Sequence, residues 1–114
     1  RIPSGSARSR HFEHRVAGVD ANPYLVAAIT LGAALDGIEA GTPPGPEGAE
    51  GRADYPAMPG GWLDAIERFE ASTAMKALLG APLHDLYTAV KRGEHDALAV
   101  EVTDLEWQLY GTTL

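Results

Sequence analysis

From Tyr24 to Leu35 the chain reads YLVAAITLGAAL, twelve residues without a charge and with Thr30 as the main polar interruption. Asp20, Ala21, Asn22 and Pro23 precede it and give it a start with a mechanism. Asn22 can cap free backbone amides, and proline at the first helical position gives up no hydrogen bond. The helix that begins there is apolar on nearly every face as far as Leu35, and Gly41 with Pro43 and Pro44 ends it. Such a helix is normally buried inside a large protein, whereas a helix on the surface of a small one shows a single apolar stripe.

The rest of the chain offers little to cover it. Its 114 residues include 45% from the apolar set, but nineteen of those are Ala. Leu, Ile, Val and Phe together make 24 residues, close to the fraction of about one fifth below which chains tend toward disorder. One domain is feasible at this length, with a thin core. Between Gly41 and Gly61, eleven of twenty-one residues are Gly or Pro, which reads as an extended linker or surface loop.

Beyond the loop, Trp62, Leu63, Ile66 and Phe69 recover helical spacing opposite Asp64, Glu67 and Glu70. Ser72 or Thr73 caps a short helix through Leu79, closed by Gly80 with Pro82 beyond. From Pro82 to Tyr110, spacings of three and four among Leu83, Leu86, Val90, Leu98, Val102 and Leu109 predict one long amphipathic helix, weakened at Gly93. Upstream, residues 1–10 read as a loop. The alternation of His11 to Val16 predicts a short strand, with Phe12, His14 and Val16 on one face and His11, Glu13 and Arg15 on the other.

Charge is unevenly placed. The first fifteen residues carry a net +3 from Arg1, Arg8, Arg10 and Arg15 against Glu13, within a chain of net charge −7. A long acidic body repels phosphate backbones, so no nucleic-acid partner is expected. The apolar run is too short to cross a bilayer, and no signal peptide precedes it, so no membrane partner is expected either. With no cysteine there is neither a disulfide framework nor a thiolate metal site, which fits a cytoplasmic protein. A chain that opens on Arg is expected to be a piece or processed product of a longer one.

On the proposed strand, Glu13 and Arg15 emerge on the same side, about 7 Å apart. That pair reads in two ways. It is either an ordinary exposed ion pair, or a place where a divalent cation and an anionic group are held side by side, with Arg1 and Arg10 adding positive charge. His11 and His14 fall on opposite faces, which argues against a shared metal ion.

The string RIP at Arg1 to Pro3, followed by HFEHRVAGVDANPYL from His11 to Leu25, resembles the closing part of the catalytic domain of the glutamine synthetase family. The wording is most similar to the branch of γ-glutamylputrescine synthetases and other glutamate–amine ligases. The resemblance extends through Leu35 to Ile38, Ala65-Ile66, Glu70 to Ser72, Lys91 to Glu94 and Val102 to Asp104, and thus over nearly the whole chain. It implies an α+β parent fold to which this segment contributes mainly helices and the short strand near residues 11–16. In that frame residues 1–20 are an active-site loop and strand, 21–41 a buried helix, 42–61 the Gly/Pro-rich loop and 62–110 the C-terminal helices.

By the same resemblance, Glu13 matches the carboxylate that binds a divalent ion, Mg²⁺ or Mn²⁺, near the ATP phosphates. Arg15 matches the arginine that contacts glutamate and the transferring phosphoryl group, and Arg1 the arginine that reaches the nucleotide phosphates. At His11 the sequence departs from the many members that carry a second arginine. Tyr55 sits where some members carry a modified tyrosine, amid residues that do not match. The implied reaction is ATP-dependent activation of the glutamate γ-carboxylate as an acyl phosphate, then attack by ammonia, a primary amine or a polyamine, in a ring-shaped homo-oligomer. Alone, the segment is expected to be inactive; a non-catalytic helical interaction module or decayed remnant descended from such an enzyme is the alternative.

Overall fold

The computed structural model describes residues 5–43 and 56–111. The chain divides into two compact units, Arg1–Pro43 and Pro44–Leu114.

In the first unit α1 (Pro23–Glu39) begins where the sequence predicts. Asn22 is extended, and its side-chain oxygen accepts from the backbone N–H of Tyr24 at 3.0 Å and of Leu25 at 3.3 Å. At the other end Gly41 adopts φ +61°, and the N–H groups of Thr42 and Gly41 donate to the carbonyls of Gly37 and Ile38. This pair of bonds is a Schellman closure, which satisfies helix-end carbonyls at the cost of a left-handed residue that glycine adopts freely. No residue of α1 is buried within this chain, and Tyr24, Leu31, Leu35 and Ile38 are all well exposed.

The strand expected at residues 11–16 does not form; among the described residues there is no strand at all. A strand is stabilised by ladder hydrogen bonds to a neighbour, and no described segment lies alongside this one to supply them. Two turns shape the approach to α1 instead, closed by Ser9 N–H to Ser6 O at 3.0 Å and Ala21 N–H to Gly18 O at 3.1 Å.

The second unit holds α2 (Trp62–Ala71), α3 (Thr73–Leu79), α4 (Ala81–Ala99) and α5 (Asp104–Tyr110). Ser72, extended at ψ 106°, ends α2 and caps α3 by accepting from Met75 N–H at 3.2 Å. Gly80 at φ +77° and ψ 146° turns the chain from α3 into α4, whose second residue is Pro82. Both α2 and α3 pack on α4.

Their core is small and contains polar groups: Ile66, His84 and Thr88 are its buried residues. The Phe69 ring stacks on His84 at 4.9 Å between centroids and tilts against Tyr87 at 5.3 Å. Ion pairs reinforce the seams, Arg92 with Glu70 between α4 and α2, and Lys76 with Asp85 at 2.9 Å between α3 and α4. Thr88 is buried at no polar cost because its hydroxyl donates to the His84 carbonyl at 2.9 Å.

The single helix expected over 82–110 is two helices. Residues 100–103 leave helical structure, and Gly93 lies inside α4 without breaking it. The break has a local cause in a capping box: Thr103 Oγ1 accepts from Glu106 N–H at 3.2 Å while the Glu106 carboxylate accepts from Thr103 N–H at 2.8 Å.

Candidate functional site

The segment His11 to Arg15 keeps its predicted two-sided character without belonging to a sheet. Extended backbone turns successive side chains to opposite sides whether or not a ladder forms. On one side, Arg15 donates to a single oxygen of Glu13, Oε2, from Nε at 2.8 Å and also from Nη2. His11 adjoins the same carboxylate, with Nε2 3.8 Å from Glu13 Oε1. Its Nδ1 lies 2.7 Å from the Ser9 carbonyl, and because a carbonyl only accepts, that nitrogen carries the proton.

On the other side, Phe12 and His14 face α1. Together with Val19, Pro23, Val26 and Ala27 they line an open, mainly apolar groove of about 580 Å³. His11 and His14 are thus parted, as their spacing requires. Val16 takes no place in the groove lining: the chain bends at Val16 and Ala17, and Ala17, Gly18 and Val19 line the groove instead.

A divalent cation of the Mg²⁺ or Mn²⁺ class takes about six oxygen ligands. Glu13 offers two oxygens, one of them engaged by Arg15, and no cluster of three or more His, Asp or Glu stands among the described residues. Glu13 therefore fits as one ligand of a site completed by other groups, and these residues do not make a whole site. Arg1 and Tyr55 lie outside the described residues. Among the described residues no helix is long and apolar enough to cross a membrane.

A carboxylate–guanidinium pair thus stands ahead of a firmly capped helix. Comparison then gives the family: residues 1–110 match the glutamine synthetase catalytic domain, and the chain belongs to the glutamine synthetase family. It is 39% identical over 108 residues to the γ-glutamylethanolamide synthetase GlnA4 of Streptomyces coelicolor, covering 92% of this chain and 23% of that protein. The glutamine synthetase of Rhizobium leguminosarum is 35% identical over 102 residues, covering 83% of this chain and 23% of the relative. The γ-glutamylputrescine synthetase PuuA of Escherichia coli is 32% identical over 114 residues, covering 96% and 24%. The chain thus spans about a quarter of the length of these relatives. No solved structure matches it significantly.

Sequence reading had not singled out the Phe12–His14 groove as a feature. The signal was present in the same alternation that separated Glu13 and Arg15 from their neighbours.

Proposed function

We propose that this chain is the C-terminal part of the catalytic domain of an ATP-dependent glutamate–ammonia or glutamate–amine ligase that works in the cytoplasm as a homo-oligomer. The observation that carries this reading is the direct pairing of Arg15 with Glu13, in a chain whose relatives bear the names glutamine synthetase and γ-glutamylamine synthetase.

In this reading Glu13 holds Mg²⁺ or Mn²⁺ together with ligands from the remainder of the enzyme. Arg15 orients the glutamate carboxylate and neutralises charge on the phosphoryl group in flight, and Arg1 contacts the nucleotide phosphates. When bound, the divalent ion supplies charge neutralisation at the phosphate oxygens. Phosphoryl transfer depends chiefly on positioning and on compensating charge spread over the phosphoryl oxygens. A guanidinium suits that task because its planar fork donates to two oxygens at once and stays charged at every working pH.

The γ-carboxylate oxygen of glutamate attacks the terminal phosphorus of ATP and ADP leaves. The nitrogen of ammonia or a primary amine then adds to the acyl carbon, gives up one proton to solvent, and phosphate departs with the electrons of the acyl C–O bond, leaving the amide. In the resting geometry Arg15 donates to Glu13, so binding an anion at one and a cation at the other exchanges that pairing for contacts to the ligands. That exchange links occupancy of the two ligands, since each releases the partner the other needs.

The test is phosphate release from ATP by the enzyme carrying this chain, supplied with glutamate and, in turn, ammonia, putrescine, ethanolamine and an aromatic amine. Release that requires glutamate and one of these acceptors is the expected result; no dependence on glutamate with any acceptor would refute the assignment. The 114-residue chain by itself is expected to release none, because one carboxylate cannot complete a metal site.

A further inference from the structure

At the junction of α2, α3 and α4 one imidazole is almost fully enclosed: His84 is 2% exposed. Its Nε2 stands 3.0 Å from the Phe69 carbonyl oxygen and its Nδ1 2.9 Å from Asp85 Oδ1. A carbonyl and an ionised carboxylate only accept hydrogen bonds, whereas a neutral imidazole has a single N–H to donate. Serving both oxygens takes two N–H groups and hence the imidazolium. A neutral ring would set a bare lone pair against an oxygen at hydrogen-bonding distance.

We propose that His84 is a proton-controlled latch, which as imidazolium ties the end of α2 to Asp85 on α4 and on losing its proton gives up one of the two bonds and loosens α2 and α3 from α4.

The surroundings favour the charged ring on balance. Asp85 is kept ionised because both His84 and Lys76 donate to it, which holds its carboxyl below the usual value. The Phe69 carbonyl is among the last four of α2, where the helix end is partially negative and stabilises a cation. The Phe69 ring also lies face-on to the imidazole, 16° from parallel. Against these stand burial, the Lys76 ammonium of α3 2.9 Å from the same Asp85 oxygen, and the start of α4 itself. Glu70 of α2 and Arg92 of α4 pair with each other at the junction, and Lys91 of α4, near Phe69 and Tyr87, pairs with Glu94. Asp85 and then the Phe69 carbonyl outweigh the opposing effects, and the His84 pKa is raised above its ordinary 6.5.

The sign of the pH effect follows. A raised pKa in the closed state means the latch contributes fully below the ordinary imidazole value of 6.5. Its contribution declines as pH rises through the closed-state value and is absent above it. Within that window one proton is released on opening, so the open fraction grows by up to about tenfold per pH unit and levels off on either side.

The experiment is amide hydrogen exchange, read by mass spectrometry on the protein carrying this chain, from about pH 5 to 8.5 and corrected for intrinsic exchange. Peptides covering residues 69–72 and 80–88 are expected to lose protection in that window. His84→Phe keeps a ring to stack on Phe69 but cannot titrate, and its protection should be flat with pH. Asp85→Asn keeps the imidazole and removes the charge that raises the closed-state value, so the loss of protection should begin at the same pH but level off at lower pH and be smaller in total. A flat wild-type profile, or the same pH dependence in His84→Phe, would overturn the proposal. Should His84→Phe fail to fold, Asp85→Asn decides: a loss of unchanged size that levels off at the same pH overturns the latch, and a smaller loss that levels off at lower pH supports it.

Discussion

Arg15 places two of its nitrogens on one oxygen of Glu13, leaving the second carboxylate oxygen without a bond from Arg15. Both side chains are substantially open to solvent, 65% and 31% exposed, so the pair adds little stability. In the proposed ligase its role is in what each member binds. If the protein carrying this chain is the proposed ligase, Glu13→Ala and Arg15→Ala should each lower its turnover by about a hundredfold or more, with the melting temperature and far-ultraviolet circular dichroism unchanged. Arg15→Lys should also lose most activity, because a point charge does not replace the planar fork. Near-normal turnover in both alanine variants would remove these residues from the site.

Asn22 alone caps the start of α1 with its side chain, serving two amides. Asn22→Ala is expected to cost about 1 kcal/mol, read as a lowered denaturation midpoint with an unchanged slope. Asn22→Asp should retain most of the stability, since an aspartate carboxylate caps about as well.

Three glycines should respond differently to alanine, although none meets a close neighbour on gaining a Cβ. Gly93 lies inside α4 with ordinary helical backbone, so Gly93→Ala should stabilise by about 1 kcal/mol. Gly41 is left-handed at φ +61°, and alanine there should cost about 1 to 2 kcal/mol. Gly80, at φ +77° and ψ 146°, occupies a region that is essentially glycine's own, and alanine should cost about 1 to 3 kcal/mol. Thermal or denaturant unfolding of the three variants gives the order directly.

The capping box of α5 carries its own acid sensitivity. The Thr103 backbone N–H, and next the Thr103 hydroxyl, donate to the Glu106 carboxylate and hold its pKa below the ordinary 4.5. A lowered pKa means this contribution is present above 4.5 and lost as pH falls through the folded-state value. Protection of amides 104–110, corrected for intrinsic exchange, should therefore fall on acidification. In Glu106→Gln, which still accepts from the cap but does not titrate, that acid-induced change should vanish; if it persists, another group is responsible.

The local devices were legible in the sequence. Asn22-Pro23 starts α1 and Gly41 ends it, Ser72 caps α3, and Gly80 turns the chain into α4, each because the interaction spans a turn or less. The division of residues 11–15 into an ionic side and a groove side was also readable, since alternation is a property of extended backbone itself. The break between α4 and α5 was readable in principle: Thr103 and Glu106 stand three apart, the spacing of a capping box, but the apolar periodicity running across it from Leu83 to Leu109 obscured the stop.

Other features depended on neighbours distant in sequence. Residues 11–15 could not become a strand on alternation alone, because no described segment supplies the ladder. Nothing local in the sequence marks His84; only the packing of α2 on α4 sets its ring between the Phe69 carbonyl, fifteen residues away, and Asp85. By itself the sequence determined most helix starts and stops, the break between α4 and α5 excepted, and the family to which they belong, since caps, turns and motifs are short-range. Tertiary structure decided which polar groups are enclosed and which charge state they hold, because burial and hydrogen-bond partners are set by surfaces that meet only once the chain has folded.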